Sequence, residues 1–136
     1  VPVIGPPISE LPSHPLLKPL GFLNKNTDLE KFVEIIRSFH FGCLFSQAEA
    51  SPRSNLECLR LGVPVLSLRV GGIPDTVPEG LGHLFEPDVQ PTVIADTIQS
   101  YLDNPSQYLA LREQVTARAT DFTWAKAVEQ MQQIWC

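Results

Sequence analysis

The sequence predicts an α/β fold, a parallel sheet flanked by helices, on three observations. Short apolar runs at Phe41 to Phe45, Val63 to Leu68 and Gly82 to Phe85 have the length and character of strands buried in a parallel sheet. Stretches of helical period fall between and after these runs, so strand and helix alternate along the chain. The connections between them are short and carry Gly, Pro, Asn or Ser.

Val1 to Ile4 reads as the first strand. Gly5-Pro6-Pro7 with Pro12, Pro15 and Pro19 keeps the next stretch out of helix, because each proline fixes φ and removes an N–H donor. A second, irregular strand is expected around Lys18 to Leu23. Thr27-Asp28-Leu29-Glu30 has the capping-box pattern of a helix start, and Leu29, Phe32, Val33 and Ile36 then share one helical face, with an end near Phe39. Between the strands at Phe41 and Val63 there is room for one helix, starting near Ser54. Pro74 suits the first position of a short helix, which Pro78 and Gly80 stop early. After the last strand, Gly82 to Phe85, three apolar stripes follow: Ile94, Ile98 and Leu102; Leu111 and Val115; Trp124, Val128, Met131 and Trp135. Asn104-Pro105 and Thr123 separate these helices, which are expected to cover the sheet, with both tryptophans packed in the core.

Residues 1–136 are the length of one domain with a usable core. Val1 begins the first strand at once, so the chain reads as a piece of a longer protein, truncated on its N-terminal side. A formal charge of −5 and a pI near 5.1, with Lys and Arg scattered, argue against a nucleic-acid partner. No apolar run approaches the length of about 18 residues that spans a bilayer. Cys43, Cys58 and Cys136 have no metal-type spacing and cannot all pair, and Cys43 and Cys58 read as buried thiols, which points to a reducing, cytoplasmic setting; peripheral attachment of a parent protein to a membrane stays open. His14, His40 and His83 lack ligand spacing, so no metal is expected. Ser46, Ser54 and Ser67 lie in no nucleophile elbow, which leaves hydrolase chemistry little support.

The chemistry concentrates between Ser46 and Asp75. Glu49 and Glu57 have seven residues between them, with Ser51-Pro52-Arg53-Ser54-Asn55-Leu56 in the interval. A helix beginning there points its free N–H groups and positive dipole end into the crevice at the carboxyl end of the preceding strand, where α/β folds bind ligands and where an anion is favoured. Ser51, Ser54 and Asn55 either donate to such a ligand or cap the helix, and Ser54 with Glu57 is itself a capping-box arrangement. Gly71-Gly72 is either a ligand contact or a plain turn, and Arg53 either a ligand clamp or a solvated charge.

The order Glu49, proline loop, Glu57, Gly62-Val63-Pro64-Val65 and Val70-Gly71-Gly72-Ile73-Pro74-Asp75 resembles the donor-binding, C-terminal half of retaining glycosyltransferases of the GT-B fold, above all the family-four group. Val3-Ile4-Gly5-Pro6, Leu20-Gly21-Phe22-Leu23 and Gly82-His83-Leu84-Phe85 extend the likeness over nearly the whole chain. The resemblance implies a Rossmann-like nucleotide-sugar-binding domain in which the diphosphate of the donor rests on the amides of Arg53 to Leu56. Glu57 would hold the ribose hydroxyls, Glu49 would contact the transferred sugar, and Gly71 and Gly72 would line the phosphate or sugar. That division suits carboxylates, which accept hydroxyl hydrogen bonds and are repelled by phosphate. The donor would be a nucleoside-diphosphate sugar used without a metal or other cofactor, its uracil, guanine or adenine read by backbone near Gly21 to Lys25.

This sequence departs from the family's usual text at Ala50-Ser51, Arg53 and Asp75. The family's basic pair and its acceptor-binding domain lie upstream of the residues present, so the chain alone is expected not to catalyse transfer. The missing first strand of the domain would leave a sheet edge to be closed by rearrangement or by a second copy, as a homodimer. Two alternatives remain: a non-catalytic nucleotide-sugar recognition module, and a GT-B-type sugar-nucleotide epimerase.

Overall fold

The computed structural model describes residues 1–5 and 8–135; the expectations placed on Pro6, Pro7 and Cys136 lie outside them. Two compact units, residues 1–35 and 36–136, divide the chain. In the first, β1 (Pro2–Ile4) runs parallel to β2 (Lys18–Gly21), with Pro2 opposite Lys18 and an irregularity between Val3 and Ile4. The Gly5 N–H extends the pairing by donating to the Gly21 carbonyl at 3.1 Å. Among the described residues, Leu23 and Phe32 are its buried apolar side chains, and the Lys25 ammonium stands 4.6 Å from the centre of the Phe32 ring. α1 (Leu29–Arg37) begins one residue later than a cap at Thr27 predicts: the Thr27 hydroxyl donates to Asp28 Oδ2 at 3.0 Å, and the Asp28 carbonyl accepts from Phe32 N–H.

The second unit is built on a three-stranded parallel sheet in the order β3-β4-β5, formed by Gly42–Leu44, Val65–Leu68 and Gly82–Phe85. The strands of the described residues pair in parallel throughout, as expected, β1 with β2 in the first unit and β3 to β5 in the second. In the second sheet β4 is central, and all four of its residues are buried, which is why it reads as an unbroken apolar run. β3 lies at the edge, so only Gly42 is buried there, while Cys43 and Phe45, expected inside, are exposed.

α2 (Arg53–Arg60) crosses from β3 to β4, and the four-residue α3 (Ile73–Thr76) leads towards β5. Alternation along β4 sends Ser67 towards α2, and Leu66 and Leu68 to the opposite face, where they cluster with Phe85, Val89, Ile94 and Ile98. Ile94 and Ile98 belong to α4 (Pro91–Asp103), so helices cover both faces of the sheet. Each fully buried Leu or Phe contributes about 1.5–3 kcal/mol of transfer free energy.

The Gly62-Val63-Pro64-Val65 stretch has a local explanation. The Val63 N–H donates to the Cys58 carbonyl at 2.8 Å and the Gly62 N–H to the Leu59 carbonyl at 3.1 Å, the paired bonds of a Schellman stop at the end of α2. Gly62 takes the left-handed φ of +76° that this stop requires, and the chain enters β4 three residues later.

α5 (Pro105–Ala117) starts at Asn104, whose side-chain oxygen accepts from the Gln107 N–H at 3.4 Å. It adds a device that periodicity does not show. The Arg112 guanidinium donates to the Phe39 carbonyl at 2.6 Å and to the Arg37 carbonyl at 2.9 Å, while the Tyr108 hydroxyl donates to the His40 carbonyl at 3.2 Å. Arg112 therefore satisfies carbonyls at and just beyond the C-terminal end of α1, where a cation is also favoured by the dipole. Arg112→Ala is expected to destabilise the chain by about 1–2 kcal/mol in urea unfolding, and Arg112→Lys to recover only part of it, because an ammonium lacks the fork that spans two carbonyls.

α6 (Trp124–Trp135) forms where the Trp124, Val128, Met131, Trp135 stripe predicts, with Thr123 Oγ1 accepting from the Lys126 N–H at 3.2 Å. Its expected packing is corrected: Trp124 is 83% and Trp135 82% exposed, Val128 and Met131 are also exposed, and no residue of the helix is buried. Leu102 on α4 is likewise exposed.

Candidate functional site

Parallel pairing places the ends of the strands at Leu44, Leu68 and Phe85 along one edge of the sheet, and the predicted site residues lie on the loops and helix that leave this edge. The loop from Phe45 to Pro52 feeds α2 directly. Its N-cap is Pro52, with φ −71° and ψ 117°, rather than a serine, and no side chain caps the helix. The capping-box reading of Ser54 and Glu57 is therefore corrected, since Ser54 already sits in the second helical position. A proline cap offers no side-chain acceptor, so the first-turn N–H groups of Arg53 and Ser54 keep their capacity for an incoming anion. Both side chains are exposed.

Glu57 lies one turn after Arg53 on the same side of α2, and both Glu57 and Leu56 are half-buried. Asn55 behaves differently from its neighbours. It is 2% exposed, and its side-chain amide donates to Ser67 Oγ on β4 at 2.9 Å, so its side chain is committed to the interior and only its backbone faces the helix start. Sequence reasoning missed this pair. The available signals were a serine inside an otherwise apolar buried strand and an asparagine on the α2 face that also carries Cys58 and Leu59.

Glu49 is half-buried in the loop before α2, and the turn after β4 meets its main chain. The Gly72 N–H donates to the Ala50 carbonyl at 2.9 Å, and Gly71, at φ +52°, lies directly against the Glu49 carbonyl. The structure thus lays Glu49 on Gly71 and Ala50 on Gly72, main chain against main chain, four and three residues before the start of α2. Arg69 and Glu86, which follow the ends of β4 and β5, pair at 3.2 Å; both are exposed, so the pair adds little stability. The Cys58 thiol, beneath Gly42, is pushed up to about 12, first by burial and then by the charges of Glu57 and Cys43, and stays protonated at neutral pH. It is no nucleophile.

Strand order and helices on both faces define a Rossmann-like α/β domain. The chain belongs to the glycosyl transferases group 1 family, which matches residues 15–121. It is similar to D-inositol 3-phosphate glycosyltransferase of Corynebacterium efficiens, 27% identical over 106 residues that make up 78% of this chain and 25% of that protein. The enzyme of the same name from Corynebacterium glutamicum is 30% identical over 95 residues, 70% of this chain and 20% of that one. This chain therefore spans a fifth to a quarter of the length of these relatives. Among solved structures, sucrose-phosphate synthase from Thermosynechococcus elongatus superposes with a TM-score of 0.69 at 24% identity, over 88% of this chain and 29% of that one. HepE of Anabaena, in complex with UDP, also gives 0.69, at 20% identity over 88% of this chain and 32% of that one. These likenesses support the GT-B glycosyltransferase reading of the motif order and the parallel α/β fold. Among the described residues, no helix is long and apolar enough to cross a membrane.

Proposed function

We propose that this chain binds the donor of a retaining glycosyl transfer: a nucleoside-diphosphate sugar whose diphosphate rests on the first-turn amides of α2. The observation that carries the reading is the uncapped helix start at Pro52, set between two half-buried carboxylates, Glu49 and Glu57. The transferase relatives and the UDP held by the HepE structure support it. Glu57 accepts from the ribose hydroxyls and Glu49 from the sugar. The helix amides stabilise the phosphate charge that grows as the glycosidic bond breaks, which is electrostatic catalysis without a metal. Ser54 and Arg53 stand next to the phosphates, with Arg53 a partial counter-charge. The acceptor is held by a partner domain outside these residues. The free thiols of Cys43 and Cys58 support a reducing, cytoplasmic setting.

The test is an NMR titration of the 136-residue chain with UDP, GDP and ADP sugars. Amide shifts clustered at Arg53 to Glu57 are expected, with an affinity in the millimolar range, about −4 kcal/mol, because one exposed arginine screens a diphosphate poorly. Saturable shifts confined to other parts of the chain would remove the assignment.

A further inference from the structure

Gly72 poses a question that its backbone does not answer. Its φ of −86° is open to any residue, so conformational freedom is no reason for a glycine there. The reason is steric: a Cβ on Gly72 would fall on the Ala50 carbonyl, to which the Gly72 N–H donates at 2.9 Å. A Cβ on Gly71 would in turn fall on the Glu49 carbonyl. Both collisions are with main-chain atoms, which cannot swing aside as the end of a side chain can. The turn after β4 is thus bare of side chains where the loop carrying Glu49 lies on it.

We infer that Gly71 and Gly72 are positioning residues for Glu49: they admit the Glu49-Ala50 main chain onto the turn after β4 and so fix where the carboxylate stands relative to the transferred sugar. Their effect on the donor passes through Glu49 instead of through contact with phosphate. The inference rests on the donor-site reading above, and it gives the paired glycines a role distinct from the ligand contact the resemblance implies.

The experiment compares UDP, GDP and ADP with their glucose esters by NMR titration, in the unaltered chain and in Gly72→Ala, Glu49→Gln and the double variant. Gly80→Ala is the control for strain alone, because Gly80 has φ +82° and its nearest neighbour to an added Cβ is a side-chain atom at 3.6 Å, Gln114 Oε1. In the ligand-free chain, Gly72→Ala is expected to move the amide resonances of Ala48 to Ser51 and leave those of Glu57 to Arg60 in place. It should weaken the glucose ester about tenfold and the bare diphosphate less than about twofold, because the lost contacts are those of a carboxylate with sugar hydroxyls. Adding Glu49→Gln should then cost nothing further, since both changes remove the same interaction. Equal weakening of diphosphate and glucose ester, or additive losses in the double variant, would overturn the inference. Unmoved Ala48 to Ser51 resonances would overturn it without any ligand. An unaltered chain that bound no nucleotide sugar would instead sink the donor reading, and the sugar part of this inference with it, while the loop resonances still reported on the geometry.

Discussion

Asn55→Ala is expected to destabilise the chain by about 2–3 kcal/mol, seen as a lower urea midpoint at unchanged slope. The side chain is almost wholly buried and donates to Ser67 Oγ at 2.9 Å. Truncation leaves that hydroxyl without its donor inside the sheet and opens a small cavity beside Leu59. Ser67→Ala removes the acceptor instead and strands the amide, for about 1–3 kcal/mol. Because both variants break one bond, the double alanine variant should cost less than their sum. Asn55→Leu with Ser67→Ala should approach the original stability, since an apolar pair leaves no polar group unsatisfied. Additive single effects would show that the two side chains do not act as a pair. The hydrogen bond also ties the first turn of α2 to β4, so Asn55→Ala should shift the amides of Arg53 and Ser54 that the donor titration reports.

Residues with local causes were legible in the sequence. Gly82 to Phe85 forms a strand with the expected bounds, its apolar run fitting the edge of β4, and the glycine at 62 ends α2 through backbone bonds that reach no more than five residues back. The start of α2 was read one residue late. Ser54 and Glu57 have capping-box spacing, but Pro52 already holds the extended cap conformation, so the helix begins behind it. What local pattern cannot encode is the partner. The stripe Trp124, Val128, Met131, Trp135 identifies a helix, yet it says nothing of what lies against that face, and the face is exposed. Arg112 carries no signal in the sequence, and only the fold brings it to the Phe39 and Arg37 carbonyls more than 70 residues earlier. The same limit applies at the site. The resemblance singles out Glu49, Glu57 and the glycine pair in the sequence, but that Gly72 bonds to Ala50 depends on how the loops leaving β3 and β4 pack.

Glu57→Gln is expected to weaken binding of a nucleoside-diphosphate sugar about tenfold or more. α2 carries no side-chain cap, so loss of the Glu57 charge cannot act by removing one. What it removes is an acceptor with two charged oxygens, replaced by an amide with one neutral oxygen and an N–H that must find an acceptor of its own. The ribose assignment makes a sharper demand. If Glu57 takes the ribose hydroxyls, UDP should bind the unaltered chain more tightly than 2′,3′-dideoxy-UDP, and Glu57→Gln should erase most of that preference. A variant that binds both nucleotides more weakly but keeps the full preference would move the ribose contact to another residue. A drop in melting temperature with unchanged donor shifts would make Glu57 a structural group of α2. The charge also bears on the buried Cys58 thiol, which Glu57 helps to keep protonated. Glu57→Gln should therefore bring that thiol slightly down, a change in alkaline titration that is independent of any ligand.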